Sequence, residues 1–226
     1  MQNILIVDRD AAGQAQIVSR LEEHGFSVTI LESGAQALEE VIRLKPALML
    51  LDLSLSDVPG TEVLKRVRED PQTRQLPVVL VTERGEEIDR VIGFELGADD
   101  YVTKPYSPRE LMLRVLAVLR RAKVPIVNAK DILAAGPMRI HIGRHEVVIN
   151  DDEVPLTALE FRLLIDLAER KGRVQRRDEL LERVWQYPSG LDTRTVDTHV
   201  KRLREKLGDA GRWIETVRGV GYRMRE

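Results

Sequence analysis

The chain has 226 residues, 43% hydrophobic and 32% charged, with a net charge of −2 and no cysteine. That length suits one large domain or two of ordinary size, and the absence of cysteine excludes disulfides and thiolate metal sites. No apolar run approaches the ~20 residues of a membrane helix, and the N-terminus lacks the pattern of a secretory leader, so we expect a cytoplasmic protein with no membrane partner.

Charge is unevenly spread. Residues 1–121 carry 15 Lys/Arg against 20 Asp/Glu, a net of −5, whereas residues 122–226 carry 20 against 17, a net of +3. From Thr193 onward the count is 9 basic and 5 acidic. An acidic front and a basic tail suggest two domains with different partners, the tail a candidate for nucleic acid.

In chain order, apolar segments fall at Asn3–Asp8, Ser27–Glu32, Ala47–Asp52, Pro77–Thr82 and Asp100–Lys104. Four are dense in Val, Ile and Leu without polar alternation, as strands buried on both faces should be. Helical patterns lie between them, as at Ala35–Leu44 and Gly60–Glu69. Repeated βα units predict an α/β fold with a doubly wound, five-stranded parallel sheet. Ligands of such sheets sit at the carboxyl ends of the strands. Asp8, Asp10, Asp52, Thr82 and Lys104 all fall there.

A helix from Pro108 to about Arg121 closes this half. Residues 122–131 have no clear period and read as a linker. Met138–Ile142 and Glu146–Asn150 alternate like antiparallel strands around a turn at Gly143. Thr157–Lys171 is a predicted helix, opened by a Thr157/Glu160 capping box. Arg177–Val184 is a second helix, and Asp192–Leu207 a third that ends at Gly208. Two short strands around Gly219 and Gly221 finish the chain. A small sheet, three helices and a terminal hairpin predict a smaller α+β domain of winged-helix type. The expected division is 1–121, a linker at 122–131, and 132–226.

In the third helix Val196, Val200, Leu203 and Leu207 form one apolar stripe. Arg194, Thr198, Lys201 and Arg202 lie opposite, where they can reach base edges and phosphates in a major groove. Arg204 flanks them and suits backbone contact. The hairpin TVRGVGYR offers Arg218 at its tip, suited to a minor groove, with Thr216 as a further DNA contact, and the Tyr222 OH is a candidate contact to phosphate. Trp185 reads as a mixed residue, ring packed and edge exposed toward phosphates.

The motifs LTALEFRLL, ELLERVW, RTVDTHVKRLREKL and IETVRGVGYR agree in order and spacing. Over roughly Ile132–Glu226 they resemble the effector domain of the OmpR/PhoB family of response regulators. The resemblance implies a transcription factor that binds tandem half-sites on double-stranded DNA as a homodimer; RNA polymerase is a further partner it allows.

In the front half, Asp52 ends the strand ALMLLD beside other acids. Such a cluster needs a cation, and with Mg²⁺ the carboxylate can attack a phosphoryl donor. The Thr82 hydroxyl and the Lys104 ammonium would hold the phosphoryl group. Pro105 suits a cis peptide that aims the lysine. With LGADDYVTKPYSPREL, residues 1–121 resemble the receiver domain of response regulators. The resemblance implies phosphorylation of Asp52 by a sensor histidine kinase. It places Asp8, Asp52 and the Ser54 carbonyl on Mg²⁺, and makes Tyr101 an aromatic that turns inward on activation. Arg90 with Glu110, and Asp99 or Asp100 with Arg114, are candidate pairs across a dimer face.

Arg9 breaks the pattern. Receivers place a second metal-ligating acid there, and a guanidinium has no acceptor. Glu83 and Ser56 depart nearby. Three readings stay open: Asp10 partly replaces the ligand, Arg9 lies against Asp52 in the metal's place, or Arg9 faces solvent. We expect weakened Mg²⁺ binding and impaired phosphorylation, with a receiver that acts without phosphate as the alternative. The DxD of ILIVDRD also matches haloacid-dehalogenase-type phosphatases. Ala11-Ala12 instead of the usual glycine, and an Asp52 without a role, speak against it, so we expect no turnover enzyme.

Overall fold

The computed structural model describes residues 2–10, 14–83, 96–122, 132–185 and 194–226. The chain separates into two compact units, Met1–Arg120 and Arg121–Glu226. Of the expected linker, residues 123–131 lie outside the described residues.

The first unit holds a parallel sheet in the order β2-β1-β3-β4-β5. Its strands are β1 (Gln2–Val7), β2 (Phe26–Leu31), β3 (Leu48–Leu51), β4 (Val78–Thr82) and β5 (Asp100–Thr103). Leu5, Val7, Met49 and Leu51 point to one face, where α2 (Gly34–Leu44) and α3 (Gly60–Glu69) cover them. Ile4, Ile6, Leu48 and Leu50 point to the other, against α1 (Ala15–Glu23) and α4 (Pro108–Ala122). Alternate side chains of one strand thus feed two cores, which is why these segments read as unbroken apolar runs. Each fully buried aliphatic side chain contributes about 1.5–3 kcal/mol. Strand β2 departs from the expectation: it is the sheet edge, and Ile30 stays 38% exposed.

The register builds the site. Val7 pairs with Leu51 and Leu51 with Leu80, so the residues that follow β1 and β3 leave the sheet side by side. The Asp52 N–H donates to the Val7 carbonyl at 2.9 Å, and the Lys104 N–H to the Thr82 carbonyl at 2.8 Å.

The second unit opens with an antiparallel sheet of β6 (Ile132–Ala135), β7 (Met138–His141), β8 (Glu146–Ile149) and β9 (Asp152–Glu153). The sequence ILAA shows no alternation, which hid β6. The turn expected at Gly143 is a 3-10 turn, Ile142–Arg144, closed by His145 at φ 55°. Helix α5 (Ala158–Glu169) carries both bonds of the Thr157/Glu160 capping box. Helix α6 (Arg177–Leu180) runs into a π turn, Leu181–Trp185. Helix α7 (Arg194–Leu207) buries Val196, Val200, Leu203 and Leu207. Strands β10 (Gln175–Arg176), β11 (Ile214–Val217) and β12 (Gly221–Met224) form the closing sheet in the order β10-β12-β11. A Cβ at Gly221 would stand 1.9 Å from the Gln175 carbonyl oxygen, so only glycine lets these strands approach.

Candidate functional site

Asp8, Asp52 and Lys104 meet at the carboxyl edge of the parallel sheet. The Lys104 ammonium donates to Asp8 Oδ2 at 2.6 Å and to Asp52 Oδ2 at 2.9 Å. The other carboxylate oxygens are also occupied: Asp8 Oδ1 accepts from the Asp10 N–H and Asp52 Oδ1 from the Ser54 N–H, both at 2.9 Å. Both acids are 4% exposed. Burial disfavours the Lys104 charge, but hydrogen bonds and attraction from Asp8 and Asp52 outweigh it and raise its pKa. The Lys104–Pro105 peptide is cis. Thr82 ends β4 fully buried beside this cluster. A cleft of about 490 Å³ opens over the pocket, lined among others by Asp8, Asp10, Glu83, Lys104 and Tyr106. Tyr106 was not anticipated; its only signal is its place two residues after Lys104.

Arg9 is exposed, and among the described residues it makes no ion pair. The reading that lays Arg9 against Asp52 is therefore corrected. Both residues follow the end of β1 at Val7, where Asp8 is buried in the pocket and Arg9 stays at the surface. The cation between the acids is Lys104.

Receiver domains typically bind Mg²⁺ in this pocket. Here the donor set is one acid short, because Arg9 cannot ligate and the exposed Asp10 gives the pocket its backbone N–H. Among the described residues no group of three His, Cys, Asp or Glu could hold a metal. The residues present do not fit the usual ion.

The charges expected across a dimer face are engaged within one chain. Asp99 is buried, with its Oδ2 3.0 Å from Arg68 and 2.8 Å from the Val78 N–H, so its assignment to that face is corrected. Arg114 reaches Asp100 at 3.4 Å and Glu110, one helical turn away, at 2.8 Å. Arg90 lies outside the described residues. Tyr101 is already turned inward, packed in the core behind the sheet. Arg68 was missed altogether. It donates to the carbonyls of Gly97, Arg74 and Leu76 as well as to Asp99. In the sequence it reads as one more helix charge.

In the second unit Lys201 is exposed on α7 and Thr198 half-buried. Arg194 starts that helix, with its side chain outside the described residues. Arg202 turns back, its Nε 3.2 Å from Oε1 of the buried Glu160, while Lys206 holds Oε2 at 2.6 Å. Burial opposes the Glu160 charge, but Lys206 and Arg202 prevail and depress its pKa. Placing Arg202 on the outward face is thus corrected in this conformation. Its long side chain follows a buried acid. Arg204 pins the hairpin through the Ile214 carbonyl and Thr216 Oγ1. Tyr222 is buried; its OH donates to Asp197 at 2.6 Å, and burial together with that bond pushes its pKa up to about 12. Trp185 is fully buried, so neither aromatic presents an edge to phosphates and both expectations are corrected. Arg218 is exposed at the hairpin tip beside Gly219, with Val220 also exposed.

A doubly wound sheet with a carboxylate–lysine pocket, joined to a winged helix, defines a phosphoacceptor-type receiver with a DNA-reading output. Comparison with known proteins agrees. Residues 4–116 match the family "Response regulator receiver domain" and residues 151–224 "Transcriptional regulatory protein, C terminal". Sensory transduction protein RegX3 of Mycobacterium tuberculosis is 42% identical over 99% of both chains. Transcriptional regulatory protein SrrA of Staphylococcus aureus is 42% identical over 98% of this chain and 94% of its own. The crystal structure of DrrB, an OmpR/PhoB homologue from Thermotoga maritima, matches over both full chains at 32% identity, TM-score 0.53. A RitR mutant does so at 26% identity, TM-score 0.76. The chain belongs to the OmpR/PhoB family of response regulators and is a DNA-binding transcriptional regulator. Members of this family bind DNA and are phosphorylated by sensor kinases.

Proposed function

We propose that Asp52 is the phosphoacceptor through which a sensor histidine kinase controls this regulator. The observation that carries this is the Lys104 ammonium held 2.9 Å from the Asp52 carboxylate beside buried Thr82. In this reading an Asp52 oxygen attacks the donor phosphorus and the bond from phosphorus to the donor's leaving group breaks. Lys104 balances the charge that the phosphoryl group adds, and the Thr82 hydroxyl donates to a phosphoryl oxygen. The receiver spans 1–121 and the effector 132–226. Phosphorylation favours a homodimer, which places two effector domains on tandem half-sites, with RNA polymerase as the downstream contact. Lys201 and Arg194 of α7 read the major groove and Arg218 the minor groove. The protein works in the cytoplasm and turns over no substrate.

A second reading rests on the Asp8–Lys104–Asp52 bridge. An internal cation already neutralises the pocket, so the receiver holds its signalling state without phosphate. Acetyl phosphate with the purified protein separates the two, read on phosphate-affinity gels with Asp52→Ala as control. Modification lost in Asp52→Ala supports the first reading. An unmodified protein that still binds its DNA supports the second.

A further inference from the structure

Asp57 lies five residues beyond Asp52, exposed in the loop from β3 to α3. An exposed loop acid is ordinarily solvated, yet this one is fully engaged. Its Oδ2 accepts from Ser33 Oγ at 2.6 Å and from the Ala35 N–H at 3.0 Å, and its Oδ1 accepts from the Gly34 N–H at 3.0 Å. Ser33 in turn caps the same helix, accepting from the Gln36 N–H at 3.1 Å. A residue more than twenty positions away thus supplies the negative charge that the first turn of α2 lacks, since that turn has no acid of its own. These bonds hold the Asp57 carboxyl well below the usual carboxylate range.

Two glycines tighten the same loop. A Cβ at Gly34 would stand 2.7 Å from the Val58 carbonyl oxygen, so the loop lies directly on the start of α2. A Cβ at Gly60 would stand 2.2 Å from the Asp52 carbonyl oxygen, and the Gly60 N–H donates to Leu53 O at 3.2 Å. The loop is therefore pinned behind Asp52, at its middle and at its end. Its first residues include Ser54, whose N–H fixes Asp52 Oδ1.

We propose that Asp57 is a positioning residue for Asp52: by clasping the start of α2 it fixes the loop whose Ser54 N–H orients the phosphoacceptor. The inference rests on Asp52 being that phosphoacceptor. It concerns an orienting interaction, and misplacement of reacting groups by about 1 Å costs up to ~100-fold in rate.

The test compares wild type, Asp57→Ala and Asp57→Asn as full chains. Phosphoramidate drives phosphorylation over a range of concentrations, and amide hydrogen exchange is followed in parallel. Asp57→Ala should slow modification at saturating donor about tenfold, with the half-saturating concentration unchanged, and raise exchange selectively at residues 34–36 and 53–58. Asp57→Asn keeps one acceptor oxygen but loses the charge and the second acceptor, and should recover only part of the rate. A wild-type rate in Asp57→Ala would overturn the proposal, as would exchange that rises evenly through the receiver. If wild type itself accepts no phosphate, the reading of Asp52 falls, and the exchange pattern alone decides whether Asp57 holds the loop.

Discussion

Replacing Lys104 by methionine should strip the only cation that the described residues place between Asp8 and Asp52. Two carboxylates, each 4% exposed, would then face one another across the space the ammonium fills, 2.6 and 2.9 Å from it. Removing one partner of a buried ion pair costs about 3–5 kcal/mol. The Lys104 side chain is 16% exposed, so water screens part of this and about 2–3 kcal/mol is expected at neutral pH. With a urea dependence of roughly 1–3 kcal/mol per molar, the receiver midpoint should fall by about 1–2 M. Both tryptophans, Trp185 and Trp213, lie in the second unit, so their fluorescence follows the effector. Far-UV circular dichroism must follow the receiver. The folded pKa of Lys104 is raised, so its contribution is fully present below the ordinary lysine value of about 10.4 and is lost as pH rises through the folded value. In an Asp8→Asn background the loss should shrink, since one of the repelling charges is gone. An unchanged receiver midpoint, or losses that simply add, would refute the claim that Lys104 is the counter-ion.

Glu160→Gln should destabilise the effector by about 3 kcal/mol, because Arg202 and Lys206 lose a buried partner; tryptophan fluorescence in urea reads this directly. The folded pKa of Glu160 is depressed, so its contribution is present above the unfolded value of about 4.3 and fades as pH falls through the folded one. Arg68→Ala removes the guanidinium from buried Asp99 and from the three carbonyls it serves, and should cost about 3 kcal/mol in the receiver, seen by circular dichroism. Tyr222→Phe should cost about 1–2 kcal/mol through the Asp197 bond while leaving DNA affinity at equal folded concentration unchanged in a gel-shift titration. Lys201→Ala should weaken DNA binding by about 1–3 kcal/mol if it reads a base, and reduce the salt dependence if it meets a phosphate.

The layout was legible because it rests on local rules. Unbroken apolar runs separated by period-3.6 patterns gave every strand of the parallel sheet and the succession of βα units, and a capping box placed α5 at Thr157. Short elements without periodicity, β6 and β9, escaped for the same reason. Asp52, Thr82 and Lys104 were legible as strand ends. Parallel strands in register bring successive carboxyl ends to one edge, whatever the loops do.

Direction and pairing were another matter. No local signal told that Arg9 faces water while Lys104 reaches both acids, since a contact spanning 96 residues is set by the sheet's register. Arg202 and Lys201 are neighbours of the same charge. Only the packing of α5 against α7 puts the buried Glu160 beside one of them and leaves the other exposed. Asp99 and Asp100 are likewise adjacent acids that strand alternation sends to Arg68 and Arg114 on different helices. Sequence alone determined which groups of this protein could carry charge and chemistry. Tertiary structure decided which were spent on one another, because a buried charge must find a partner and the fold determines which one lies within reach.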